Sequence, residues 1–287
     1  GRARILNRLP DGVIAPVACF GKQTVFAEFL RIQKVNFACL KTFLAERRLD
    51  TDKSVRAVIL MGNGPAFCAG ADLNWMKRMA AYNEEQNLED ARALAAMLRT
   101  LDRMSKPTIA RVHGAAFAGG VGLVAACDIA CGSSEAEFCL TEVKLGLTPA
   151  TISPYVVRAM GERAARRYFL SGERFTAAEA HRLGLLSALA QAGELDNVIN
   201  GLLGHIVTGG SAAQAEIKDL IRAVSRGPVS DAMIEDTARR IARVRVSAEG
   251  REGITSFLEK RRPAWTARPE SRADPAAAVA RKNTKRK

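Results

Sequence analysis

No apolar run in the sequence approaches the roughly 18 to 20 residues that a membrane-spanning helix needs. A membrane role is therefore not expected. Histidine is scarce, with three in 287 residues. The six cysteines, Cys19, Cys39, Cys68, Cys127, Cys131 and Cys139, include no CxxC pair and no neighbouring histidine at zinc spacing. No metal site is expected, and the cysteines read as buried free thiols of a reducing compartment. The first residues, GRARILNRLPDG, lack the apolar core and small-residue cleavage pattern of a secretory signal, which points to a cytoplasmic chain. There is no GxSxG elbow, Walker loop or GxGxxG fingerprint, and this removes the common hydrolase, NTPase and dinucleotide readings.

What is present is the composition of an ordinary globular protein, 48% hydrophobic and 25% charged. The formal charge is +13, but from Lys260 to the end ten Lys or Arg face only Glu270 and Asp274, a net of +8, so the remainder carries +5. A basic tail supports salt-sensitive attraction to polyanions. The modest excess of the body suits an acidic, phosphorylated small-molecule ligand, and nucleic acid is not expected as the main partner.

Periodicity places a helix over Lys34 to Arg48 and a buried strand over Val58 to Met61. The polar segment KRMAAYNEEQ is expected to begin a mobile surface region, followed by a helix from Leu88 to Met104 that Lys106 and Pro107 end. Short strands are expected at Thr108 to His113, Ile129 to Cys131 and Glu137 to Leu140. From Thr151 the chain reads as almost wholly helical, with a Thr176–Glu179 capping box and helices over Ser230 to Val246 and Gly250 to Arg261. Strands alternating with helices predict an α/β architecture with crossover connections. From Thr266 nothing offers an apolar face, and the tail is expected to be disordered.

Two glycine-rich turns and one acid could carry chemistry. In Met61 to Met76, MGNGPAFCAGADLNWM, the small residues Ala69, Gly70 and Ala71 let a ligand approach a main-chain amide closely. In Gly114 to Gly122, the amides of Gly119 and Gly120 lie where a helix should begin, a place that favours developing negative charge. Each turn, taken singly, reads first as a tight turn where a helix packs on a strand. Glu142, in FCLTEVKLGL, sits among apolar residues that would raise a carboxyl pKa and suit proton transfer near neutrality. Spacing leaves open that it is a surface carboxylate paired with Lys144 or Arg56. His113 ends a strand and reads as a satisfied histidine, while His181 and His205 fall on helix surfaces.

Taken together, FCAGADL at 67 to 73, HGAAFAGGVGLVAACDI at 113 to 129 and FCLTEVKLGLTP at 138 to 149 resemble the crotonase (enoyl-CoA hydratase/isomerase) superfamily. GERAARRYFLSGERFTAAEAHRLGLL at 161 to 186 and EGITSFLEKRRPAW at 252 to 265 look like its helical C-terminal part. The resemblance implies a ββα spiral core followed by a helical trimerisation region: a divergent N-terminal segment at 1–49, the core with the active site at 50–200, C-terminal helices at 201–265 and the basic tail at 266–287. It implies that Ala71 and Gly119 donate oxyanion-hole amides to an acyl-CoA thioester and that Glu142 is the catalytic acid or base. Ala69, Gly70, Asp72, Leu73 and Gly120 would line the coenzyme A side, with Phe257 and Lys260 reaching the coenzyme A of a neighbouring subunit. Trp75, Met76 and Tyr155 would wall the acyl pocket. Coenzyme A is then part of the substrate and no separate cofactor is implied; the assembly would be a homotrimer or a dimer of trimers.

The sequence departs from this pattern twice. Hydratases with a glutamate pair place the second Glu where this chain has Gly122, and LNR at 6 to 8 is followed by LPDGVIAPVACFG in place of the family's coenzyme A-contacting segment. The run GGVGLVAACDI with TEVKLGLTPATISPYVV looks most like bacterial methylglutaconyl-CoA and isohexenylglutaconyl-CoA hydratases, which act on 3-methyl-branched enoyl-CoAs and share the glycine. The implied activity is hydration of a branched 2-enoyl-CoA in leucine or isoprenoid degradation. The alternatives are a Δ3,Δ2-enoyl-CoA isomerase using a single glutamate, an inactive paralogue, or an RNA-binding protein.

Overall fold

In the computed structural model, residues 19–20, 23–24, 28–32, 48–225 and 227–266 are described, with side chains from Leu49 onward. The expected helix from Lys34 and the expected disordered tail lie outside the described residues, apart from the short helix α1 (Arg48–Thr51) and the turn of 3-10 helix at Ala264–Thr266. Two compact units divide between Arg226 and Gly227.

The first unit opens with a short antiparallel pair, β1 (Cys19–Phe20) and β2 (Gln23–Thr24). Its frame is a parallel sheet of β3 (Glu28–Ile32), β4 (Val58–Gly62), β5 (Thr108–Val112), β7 (Ile129–Ser133) and β10 (Ala188–Ala190), in the spatial order β10-β7-β5-β4-β3. The sequences VILMG and TIARV are apolar on both faces because helices cover both sides, as parallel sheets require. Alternation along these strands sends Val58, Leu60, Ala110 and Val112 to one core, shared with α3 (Glu84–Arg103) and α4 (Gly119–Ala126). Ala57, Ile59, Ile109 and Cys131 go to a second core under α7 (Leu195–Ile206).

A second sheet stands beside the first: β6 (Ala115–Phe117) pairs in parallel with β8 (Glu137–Cys139), which pairs antiparallel with β9 (Arg174–Thr176). Strands β9 and β10 correct the expectation of an all-helical chain after Thr151. Each is three residues long, too short for alternation to show, and each exists because β8 or β7 offers an edge. The segment after Trp75 also differs from expectation. It is helix α2 (Leu73–Met79), and α3 begins at Glu84, four residues before Leu88, because Asn83 and Gln86 form a reciprocal capping box.

Helix α5 (Ser153–Ser171) is bent at Gly161, whose φ of 78° no helix contains. It is followed by α6 (Ala177–Arg182), capped by Thr176, and by α8 (Ser211–Val224). Lys218 of α8, only 8% exposed, places its ammonium 2.5 Å from Asp128 Oδ2 and 3.0 Å from the Lys106 carbonyl. The same Asp128 oxygen accepts from the Thr108 amide and hydroxyl, each at 2.8 Å, so one ion pair, with its lysine buried and its aspartate at the surface, ties α8 to the starts of β5 and β7. The second unit consists of α9 (Asp231–Val246), capped by Ser230, and α10 (Ala248–Leu258), capped by Ser247. Helix α7 spans the expected boundary at residue 200 and α8 follows it, and both belong to the first unit.

Candidate active site

The two glycine-rich turns lie against each other. The Phe67 amide donates to the His113 carbonyl at 2.8 Å, the Cys68 amide to Ala115 at 2.9 Å, and the Phe117 amide back to Cys68 at 2.8 Å. A ring nitrogen of His113 lies 2.9 Å from the Gly64 carbonyl and the other 3.3 Å from Arg111, so this histidine has partners at both nitrogens and pins the first turn to the end of β5. Contact this close requires glycine. A Cβ at Gly114, where φ is 56°, would stand 2.1 Å from the Pro65 carbonyl oxygen.

This nesting carries Ala69, Gly70 and Ala71 alongside the start of α4. A Cβ at Gly120 would lie 2.8 Å from Cys68 Cβ, so the first turn rests directly on the first turn of α4. Gly70, with φ of 120°, reverses the chain, and Asp72 then caps α2 by accepting from the Trp75 amide at 2.8 Å. Ala118 precedes α4 with φ of 49° and ψ of −120°, an uncommon conformation for a residue with a side chain, and offers no side-chain cap. Among the described residues, neither the Ala71 nor the Gly119 amide donates a hydrogen bond. Two adjacent turns thus present unsatisfied N–H groups, one of them at the positive end of a helix.

The Ala118 amide donates to the Cys139 carbonyl at 2.8 Å, which brings the end of β8 beside α4. From there the chain enters a 3-10 turn, Glu142–Leu145, closed by Gly146 at φ of 71°. Glu142 is half-buried and its Oε2 is enclosed without a hydrogen-bond partner. Burial raises its carboxyl above the usual carboxylate range, a hydrogen bond to its own backbone opposing the shift. It forms no ion pair with Lys144 or Arg56; Arg56 instead donates to the Gly209 carbonyl at 2.5 Å. A partly desolvated carboxyl with one oxygen left without a partner can hold and move a proton.

The remaining candidate residues fall in distinct places. Ala69 is exposed and Gly120 buried. Trp75 donates from its indole to Asp90 of α3 at 3.1 Å, Met76 is half-buried beside it in sequence, and Leu73 stands 72% exposed. Tyr155 lines a cavity of about 1380 Å3 between α3, α5 and α8, and Ala71, Gly119 and Glu142 do not line that cavity. Phe257, 81% exposed on α10, and Lys260, just beyond it with φ of 53°, belong to the second unit. Among the described residues no His, Cys, Asp and Glu cluster could hold a metal, and no helix is long and apolar enough to cross a membrane.

Gly122 holds a position that the sequence did not explain. A Cβ there would meet Ile152 Cγ2 at 2.2 Å and Ile152 Cβ at 2.6 Å, and Ile152 is 2% exposed at the head of α5. Nothing in the spacing signals this pair, because the partners are thirty residues apart and Ile152 reads as one more apolar residue before a helix.

The enoyl-CoA hydratase/isomerase family matches residues 35–268. A protein described as a putative enoyl-CoA hydratase from Thermus thermophilus is 36% identical over 75% of this chain and 85% of its own length. The mevalonyl-coenzyme A hydratase sidH of Aspergillus fumigatus is 32% identical over 82% of this chain and 88% of its own. Among solved structures, an enoyl-CoA hydratase from Shewanella pealeana superposes with a TM-score of 0.78 at 40% identity, covering 83% of this chain and 91% of the other.

Proposed function

Because the chain belongs to the enoyl-CoA hydratase/isomerase family, we propose that it adds water across the double bond of a 2-enoyl-CoA. The observation that carries this is the pairing of two unsatisfied amides, Ala71 and Gly119, with an enclosed and unpartnered Glu142 oxygen. The thioester oxygen accepts from both amides. Their donation draws electron density from the conjugated double bond and makes C3 electrophilic. As the water oxygen bonds to C3, Glu142 takes a proton from it, the charge passes to the thioester oxygen, and the proton returns to C2. One well-placed oxyanion donor is typically worth about 3 to 4 kcal/mol of barrier, so the two amides together outweigh any single side chain here.

Within that activity, a 3-methyl-branched acyl group and a homotrimer or dimer of trimers are the finer readings. The branched substrate is supported by the motif around Gly122 and, in chemical kind, by the relative whose name specifies mevalonyl-coenzyme A. A second reading, migration of a double bond between C3 and C2, is favoured by the lone acid. Incubation with a 2-enoyl-CoA in heavy-oxygen water separates them. Label appearing at C3 is the expected result; a double bond that migrates without label rejects hydration.

A further inference from the structure

We infer that Ile152 determines specificity at this site: it fills the side-chain space at Gly122, leaves Glu142 as the single acid there, and forms the apolar wall for a methyl branch at C3. This rests on the hydratase reading. Gly119, an oxyanion donor, and Gly122 lie three residues apart in α4 and so share a helix face. Whatever stands against Gly122 therefore stands beside the reacting end of the acyl group. What stands there is Ile152, with Cγ2 and Cβ at 2.2 and 2.6 Å from a would-be Cβ. Even alanine at 122 would require Ile152 to move. The neighbourhood is built from three elements at once: α5, headed by Ile152, packs against α4 and against the 3-10 turn that holds Glu142. The position is buried, so a polar group there would lose its hydration. A β-branched side chain is stiff at χ1, and a stiff apolar wall discriminates by shape.

One methyl or methylene in an apolar pocket changes kcat/KM by about 10- to 200-fold. The wild type and Ile152→Leu are compared on 3-methylbut-2-enoyl-CoA and but-2-enoyl-CoA. Leucine keeps the volume but takes away the β-branch, and with it Cγ2, the methyl that faces Gly122, and the variant should fold. The expected result is a branched-to-straight ratio of kcat/KM lowered by about tenfold; an unmoved ratio overturns the inference. The paired variant Gly122→Glu/Ile152→Gly probes the same space with charge. Two carboxylates sharing a site push one pKa up, so its pH–rate profile should gain a second ionisation. A folded double variant that keeps the wild-type profile also overturns the inference; if it does not fold, the Ile152→Leu ratio decides. A wild type that hydrates neither substrate sinks the hydratase reading and the inference together, whereas a hydrating wild type with an unmoved ratio sinks the inference alone.

Discussion

Glu142 carries an enclosed oxygen with no partner, and for a carboxyl this has two consequences of opposite value. It costs stability, because burial disfavours the charged form and raises the pKa above the value in the unfolded chain. It also poises the group for proton transfer. A folded pKa above the unfolded one means that the native state binds the extra proton. Stability is then fullest below the unfolded value of about 4.3 and is lost as pH rises through the folded pKa. Glu142→Gln removes the charge without changing the shape. Thermal melting from pH 4 to 8 should show the variant more stable than wild type near neutrality, with the gap closing toward pH 4. The same substitution should lower kcat by about 100- to 10,000-fold while retention on a coenzyme A resin holds. Near-normal turnover would remove Glu142 from the chemistry. The wild-type kcat/KM should fall as pH drops through the raised pKa, since the base must be ionised in the free enzyme. The acid itself was legible in the sequence, because an isolated Glu in an apolar run is visible by residue type. Its missing ion pair with Lys144 or Arg56 was not, because that depends on where those side chains reach.

At the scale of elements, the proposed donor pair depends on how two turns seat on one another. The amides of Ala71 and Gly119 belong to segments nearly fifty residues apart, and Cys68 against Gly120 sets their spacing. Gly120→Ala would place a methyl 2.8 Å from Cys68 Cβ and 3.0 Å from the Cys68 carbonyl oxygen, which is itself held by the Phe117 amide. Relief requires the first turn to lift from β6. A misplacement of about 1 Å can cost on the order of 100-fold in rate. Steady-state kinetics of Gly120→Ala should therefore show kcat lowered by at least about tenfold, with a smaller change in KM; an unchanged kcat would show that this contact does not set the hole. Both turns were readable from clustered small residues. Other elements were less so: the Asn83–Gln86 capping box starts α3 within a stretch whose polarity suggested a surface segment, and β6, β9 and β10 are each three residues held by a neighbour's edge.

Across the first unit, the parallel sheet separates two cores of unequal role. The face with Leu98, Leu101 and α4 supports both turns and the acid, whereas the other face packs Ile59, Ile109 and Cys131 under Leu195, Ile199 and Leu203 of α7. The α/β class was legible because apolar strands alternate with amphipathic helices. The strand order was not, since β3 falls where no period can be seen and pairing is a long-range property. This division predicts a separation of stability from chemistry. Leu203 is fully buried, and Leu203→Ala removes packing from a face that contains none of Ala71, Gly119 or Glu142. A buried Leu→Ala change costs about 2 to 5 kcal/mol. Denaturant unfolding should show that loss, while turnover per folded molecule, measured well below the melting temperature, stays within about twofold of wild type because the cavity is confined to the far side of a stiff sheet. A fall in kcat matching that of Gly120→Ala would show instead that the two faces are coupled through β4 and β5.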